Sequence, residues 1–178
     1  MALNIWNNFP SKIKRILTII IFFFISSIIT IAGVLTPLSL SDARDIEQEF
    51  DEITANVSVE LIFGNNLMIC LIMFIPVVGP IFGGYALYNT GVVIAAQSIN
   101  AGFPPLAVFL SIFIFPVVWL EFLAYSTALA ESFWLIWRIF HRKIKRELVN
   151  MCILISICAV MLLVGAIVEM ALILYFGG

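Results

Sequence analysis

An unbroken apolar run extends from Ile16 to Thr36 with no charged residue. These 21 residues make about 31 Å of helix, enough to cross the hydrocarbon core of a bilayer. Lys12, Lys14 and Arg15 precede the run. A signal peptide has a shorter apolar core of about 7–15 residues, so the pattern predicts an uncleaved first span over 16–36. Residues 1–15 then form a basic, cytoplasmic N-terminus. Pro37 ends the run, and the character changes over 37–60. Ser41 is placed to cap a helix, with Asp42 and Asp45 in its first turn, where the helix dipole favours acid. Ile46, Phe50 and Ile53 recur at helical spacing on an otherwise acidic segment. This predicts an extracytoplasmic loop helix lying on the membrane surface. Asn56-Val57-Ser58 is a glycosylation sequon, usable only if that loop faces outside.

From Leu61 to Trp137 the only formal charges are Glu121 and Glu131. Pro76, Gly79-Pro80, Gly83-Gly84, the Gly102-Phe103-Pro104-Pro105 stretch and Pro116 punctuate this segment. The pattern predicts spans near 61–82 and 84–101. Residues 103–138 are too many for one ordinary span and too few for two. Arg138, His141, Arg142, Lys143, Lys145 and Arg146 then form the densest basic segment, which belongs in the cytoplasm with the N-terminus. With the acidic loop outside, an odd number of crossings must separate it from Arg138. The segment 103–116 is therefore expected as a half-helix that dips in and returns, or as the bent upper part of one long helix broken at Pro116. Such backbone must be buried in protein or line a cavity. Residues 61–138 form the helical core, 139–147 a cytoplasmic basic loop, and 148–178 the last span, leaving the C-terminus extracytoplasmic. Trp134 and Trp137 suit the cytoplasmic aromatic belt. The predicted fold is an all-α polytopic transmembrane bundle with five spans plus one Pro-broken or re-entrant segment.

Composition confirms the solvent. Apolar residues make up 63% of the chain and charged residues 11%, against about 45–50% and 25% in soluble domains. The formal net charge of −2 leaves no nucleic-acid footprint. Cys70, Cys152 and Cys158 lie inside apolar runs without a CxxC pair, and His141 is the sole histidine, so no metal or cofactor site is expected. There is no HExxH, P-loop or GxSxG, and the chain is not expected to be an enzyme.

Glu121 is the sharpest chemical feature. An acid at membrane depth is expensive and marks a functional site by default. No Lys or Arg lies between Arg44 and Arg138 to pair with it. Its expected partners are Asn65, Asn66, Asn89, Gln97 and Asn100, with Tyr125 on the same helix face at i+4. Together with Pro116 these residues form either an ion or proton site or a helix-to-helix hydrogen-bond clip. Glu131 points elsewhere and is expected to pair with Arg138 or Arg142. Glu169 has a snorkelling or interhelical role. Gly79 and Gly83 form a GxxxG, and Ala124 with Ala128, like Ser126 with Ala130, repeats the same spacing. Small residues so spaced let helices approach closely in lipid, within the bundle or between copies. A shift of 40 residues also lays Ile72, Pro76, Val77, Val78, Phe82 and Tyr85 on Ile112, Pro116, Val117, Val118, Phe122 and Tyr125, a weak internal repeat around two Pro-broken helices.

The run Ile62-Phe63-Gly64-Asn65-Asn66-Leu67, the later Tyr88-Asn89-Thr90-Gly91, and Pro116-Val117-Val118-Trp119-Leu120-Glu121 resemble the stage II sporulation protein M (SpoIIM-like) family of small membrane proteins. The resemblance covers about residues 60–137. Pro116 and Glu121 match the spacing of that family's Pro-His-Gly-x-x-Glu segment. Val117 and Val118 stand where the family has His and Gly, so that histidine's role does not carry over. The resemblance implies a multi-span, non-enzymatic scaffold or accessory subunit. It would assemble in the lipid bilayer with other membrane proteins or with itself. The alternative from the residues alone is a proton- or cation-coupled transporter or channel built on Glu121.

Overall fold

The computed structural model describes residues 11–54, 57–140 and 144–176. Asn56 of the sequon, residues 1–10 of the basic N-terminus, and His141, Arg142 and Lys143 of the basic loop lie outside the described residues. Among the described residues there are seven helices and no strand. They are α1 Ser11–Val34, α2 Leu40–Thr54, α3 Val59–Met73, α4 Val78–Asn100, α5 Pro105–Ile112, α6 Pro116–Phe140 and α7 Ile144–Phe176. Three stretches are long and apolar enough to cross a membrane: Lys12–Val34, Val78–Asn100 and Leu148–Tyr175. Two bent pairs, Leu40–Thr54 with Val59–Met73 at 114° and Pro105–Ile112 with Pro116–Ile139 at 88°, raise the count to five if each is one span. The chain is an all-α, multi-pass membrane bundle.

The first and last spans fall where the apolar runs predict. Thr36 and Pro37 stop α1, because a residue before proline is pushed out of the helical region. The cap of α2 differs from expectation. Ser39, not Ser41, closes it: the Ser39 hydroxyl accepts from the Asp42 amide at 3.2 Å, and the Asp42 carboxylate accepts from the Ser39 amide at 3.2 Å and the Ser39 hydroxyl at 2.7 Å. This is a capping box with Asp in the third position. The same hydrogen bonds hold the exposed Asp42 carboxyl below its usual range. α2 packs its buried Ala43 on α4, and Asn100 at the end of α4 donates to the Ala43 carbonyl at 3.0 Å and to Glu47 at 2.6 Å. Phe50 and Ile53 remain exposed.

The expected span over 61–82 is corrected. α3 has 15 residues, about 22 Å, and stops at Met73. Residues 74–77 form a break, and Gly79, Pro80, Gly83 and Gly84 all lie inside α4. Val77 sits at φ 68° and ψ −53°, with the Val78 amide donating to the Pro76 carbonyl at 2.8 Å. This is a γ-turn, a strained shape for a β-branched residue. A chain break leaves carbonyls without helical partners, and lipid offers none. The Ile75 carbonyl accepts from the Gly79 amide at 2.7 Å and also from the buried Ser132 hydroxyl at 3.0 Å, which ties the break to α6.

The second break is at the expected place. α5 ends at Ile112, and Pro116 begins α6, where a missing amide costs nothing. The Trp119 indole donates to the freed Phe113 carbonyl at 2.8 Å. Phe113 packs edge-on against Trp119 and beside Phe109 and Phe122. Both halves of the 40-residue repeat are therefore helix, break, helix. The equivalence stops there, because Tyr85 is exposed and Tyr125 is buried.

α6 is the centre of the bundle. Every residue from Ala124 to Ser132 is buried. Ala124 and Ala128 have no exposed surface and sit in the main core with Cys70, Met73, Leu129, Cys158 and Leu162. The thiols of Cys70 and Cys158 both point at the Ala124 carbonyl, so these two cysteines are packing residues as expected; Cys152 is exposed. A close helix contact lies elsewhere, between α1 and α4. A Cβ on Gly33 would lie 2.1 Å from the Tyr88 carbonyl oxygen, and one on Gly91 2.1 Å from that of Thr30. Only glycine permits that approach. Gly79 and Gly83 serve inside the chain: Gly79 lies against the Met73 carbonyl, and Gly83 against the side chains of Leu129 and Met73.

Candidate functional site: an intramembrane carboxylate clip and its groove

Glu121 lies five residues beyond Pro116, about 7.5 Å along α6 from the break. The Asn66 amide on α3 donates to Glu121 Oε1 at 2.6 Å. Tyr125, one turn further along α6, donates its hydroxyl to the Asn66 carbonyl oxygen at 3.1 Å. The asparagine thus uses its donor and its acceptor together, and α3 is fastened to α6 through a three-residue chain. Of the expected site residues, Glu121, Asn66 and Tyr125 come together, with Pro116 setting the start of their helix. Asn65 and Asn89 do not join them. Asn65 is exposed on α3, and Asn89 is half-buried on α4. Asn65 precedes Asn66 by one position, which on a helix turns the side chain by about 100°. Asn100 belongs to the α2 contact described above.

Glu169 reaches the same place from α7. The α6–α7 pair is antiparallel, with Gly165 facing Val117 and Leu120. That register brings Glu169, one helical turn beyond Gly165, to the open end of α6. Glu121 and Glu169 together line a groove of about 470 Å³ whose walls are apolar, among them Ile112, Phe115, Val118 and Leu172. The 88° turn between α5 and α6 opens this space, because α5 departs sideways instead of continuing alongside α7. Sequence reasoning treated Glu169 separately. The antiparallel register of two helices joined by a short connection is the signal that links it to Glu121.

Glu131 is corrected. Its carboxylate does not take Arg138 in the described residues but Arg15 of α1, whose Nη1 lies 2.9 Å from Oε1 and 2.8 Å from Oε2. Glu131 is 3% exposed and Arg15 18%. The pair places the basic start of α1 beside the end of α6 that carries Arg138. The Arg138 guanidinium sits over the Trp134 ring, 5.9 Å from its centroid, within cation–π range. The Glu121 groove and the Arg15–Glu131 pair are ten residues apart on α6, about 15 Å along its axis.

No family model, characterised protein or solved structure matches this chain.

Proposed function

We propose that this chain is a non-enzymatic, SpoIIM-like membrane scaffold or accessory subunit that assembles with other membrane proteins. In this reading it lies in the cell membrane, with Lys12 and the Arg138–Arg146 stretch in the cytoplasm and the C-terminus outside. The observation that carries the reading is the closed Asn66–Glu121–Tyr125 chain. The acid most suited to carrying a proton or ion is already fastened to a neighbouring helix. Buried acids of this kind act as interhelical ties contributing about 0.6–2 kcal/mol each. The small-residue centre of α6 is consumed by packing within the chain, so assembly falls to the outer faces of the bundle.

A second reading, proton- or cation-coupled transport through Glu121, is favoured by one observation, the groove that Glu121 shares with Glu169. Reconstitution in vesicles separates the two. A scaffold gives no proton or sodium flux above empty vesicles. Flux that disappears with Glu121→Gln overturns the scaffold reading.

A further inference from the structure

We infer that the groove between α5, α6 and α7 receives a transmembrane helix of a partner protein that carries a lysine or arginine, whose cation is taken by Glu121 and Glu169. The inference rests on the accessory-subunit reading above and names the partner's chemistry. Its basis is a charge mismatch that the chain does not resolve for itself. Three acids lie on α6 and the Leu148–Tyr175 span: Glu121, Glu131 and Glu169. Arg15 serves Glu131. No Lys or Arg occurs between Arg44 and Arg138 or after Arg146, and Arg44 is exposed on the acidic α2. The lining of the groove therefore holds two carboxylates and no cation. Charges at membrane depth are paired with one another or face a polar cavity.

The walls decide which cation fits. Apart from the two carboxylates, the lining side chains are Ile, Phe, Val and Leu. A hard metal ion such as Na⁺ or Ca²⁺ asks for about six or more oxygen ligands, and this groove offers two carboxylates only. A lysine or arginine on an apolar helix brings a hydrocarbon stem for the walls and donors for the acids. A second copy of this chain is disfavoured for the same reason. Apart from Arg44 on the acidic α2, its Lys and Arg all lie in residues 12–15 and 138–146 of the sequence, so a symmetric pairing of the groove would set acid against acid. Position along the helices is also specified. Glu121 lies about 7.5 Å and Glu169 about 10.5 Å from the ends of their helices, so the partner's basic residue lies about two turns inside its span, on the side remote from Arg138.

The test uses the full chain in lipid vesicles and a synthetic probe. The probe is a fluorescent Leu/Ala transmembrane peptide with a single Lys two turns from one end, compared with the same peptide carrying Leu there. Binding is read by energy transfer from a labelled N-terminus. The Lys peptide is expected to bind about tenfold more tightly than the Leu peptide, as one interhelical polar contact allows. Glu121→Gln/Glu169→Gln should abolish the preference. Because Glu121 also ties α3 to α6, Glu169→Gln alone is measured too, and it should reduce the preference without lowering thermal stability. Equal binding of the two peptides overturns the inference, as does a preference that survives the double substitution. Proton and sodium flux is followed in the same vesicles. Equal peptide binding without flux removes this inference alone, whereas equal binding with Glu121-dependent flux removes the scaffold reading as well.

Discussion

Deleting the guanidinium of Arg15 and deleting the carboxylate of Glu131 break the same contact, yet the two should not cost the same. Glu131 is 3% exposed near the end of the buried stretch of α6, while Arg15 is 18% exposed near the start of α1. With Arg15→Ala the acid is left uncompensated and has no route to water. That loss falls in the range for breaking a buried pair, about 3–5 kcal/mol. With Glu131→Ala the remaining arginine can extend its stem toward the interface, so the cost is nearer the about 1–3 kcal/mol of an unsatisfied group. The double variant should resemble Glu131→Ala alone, far from the sum of the singles. Geometry adds a third expectation. Both contacts to Glu131 come from one nitrogen, Nη1, which a lysine ammonium can replace toward that acid, so Arg15→Lys should lose less than Arg15→Ala. Reversible unfolding in mixed detergent micelles, followed by circular dichroism, measures all four variants. Equal losses for Arg15→Ala and Glu131→Ala, or strict additivity, would refute the reasoning that burial of the acid sets the cost.

Three further predictions concern the backbone. Gly91→Ala places a Cβ 2.1 Å from the Thr30 oxygen and 2.8 Å from the Val34 nitrogen, both main-chain atoms. α1 and α4 must then separate, costing about 1–3 kcal/mol, and an unchanged midpoint in the same unfolding assay would contradict the close contact. Val77→Gly should stabilise by about 1 kcal/mol, since relief of strain exceeds the added chain entropy, and Val77 is 60% exposed, so little burial is lost; a lower midpoint would argue against the γ-turn. The first turn of α2 should loosen in acid. The Ser39 hydroxyl and amide hold the Asp42 carboxyl below its ordinary value of 3.8. Its support is therefore complete above that value and lost as pH falls below it. Amide protection of α2 should drop in that window, Ser39→Ala should flatten the dependence, and a pH-independent profile in the parent chain would exclude the cap.

Charge-free length was enough to place α1 and α7, and Pro116 was enough to place the second break. Glu121, Asn66 and Tyr125 were legible because an acid at membrane depth must find polar company and only a few candidates exist. The first break was hidden. Pro76 signals it, but the nearby glycines are stronger punctuation marks, and they turned out to serve close packing inside α4. The partner of Glu131 was hidden for another reason. Arg15 is 116 residues away in sequence, and no local rule reaches that far. Gly33 and Gly91 carry no motif, since each supplies one half of a contact made between helices. Ser39 displaced Ser41 as the cap because the reciprocal bond needs an acid three residues on, which Ser39 has in Asp42 and Ser41 lacks.

The uninterrupted burial of α6 bears on how the chain is made. Nine successive positions, including Glu131 and several hydroxyl and alanine residues, meet protein on every side. Taken alone, α6 is not among the three stretches long and apolar enough to cross a membrane; it reaches that measure only together with α5. It emerges from the ribosome after α1, α3 and α4, which form the seat it needs, and before the strongly apolar α7 that closes over it. The buried stretch of α6 therefore depends on its neighbours for its surroundings, with α7 covering it last in chain order. Truncation before Leu148 should leave it stranded outside the lipid.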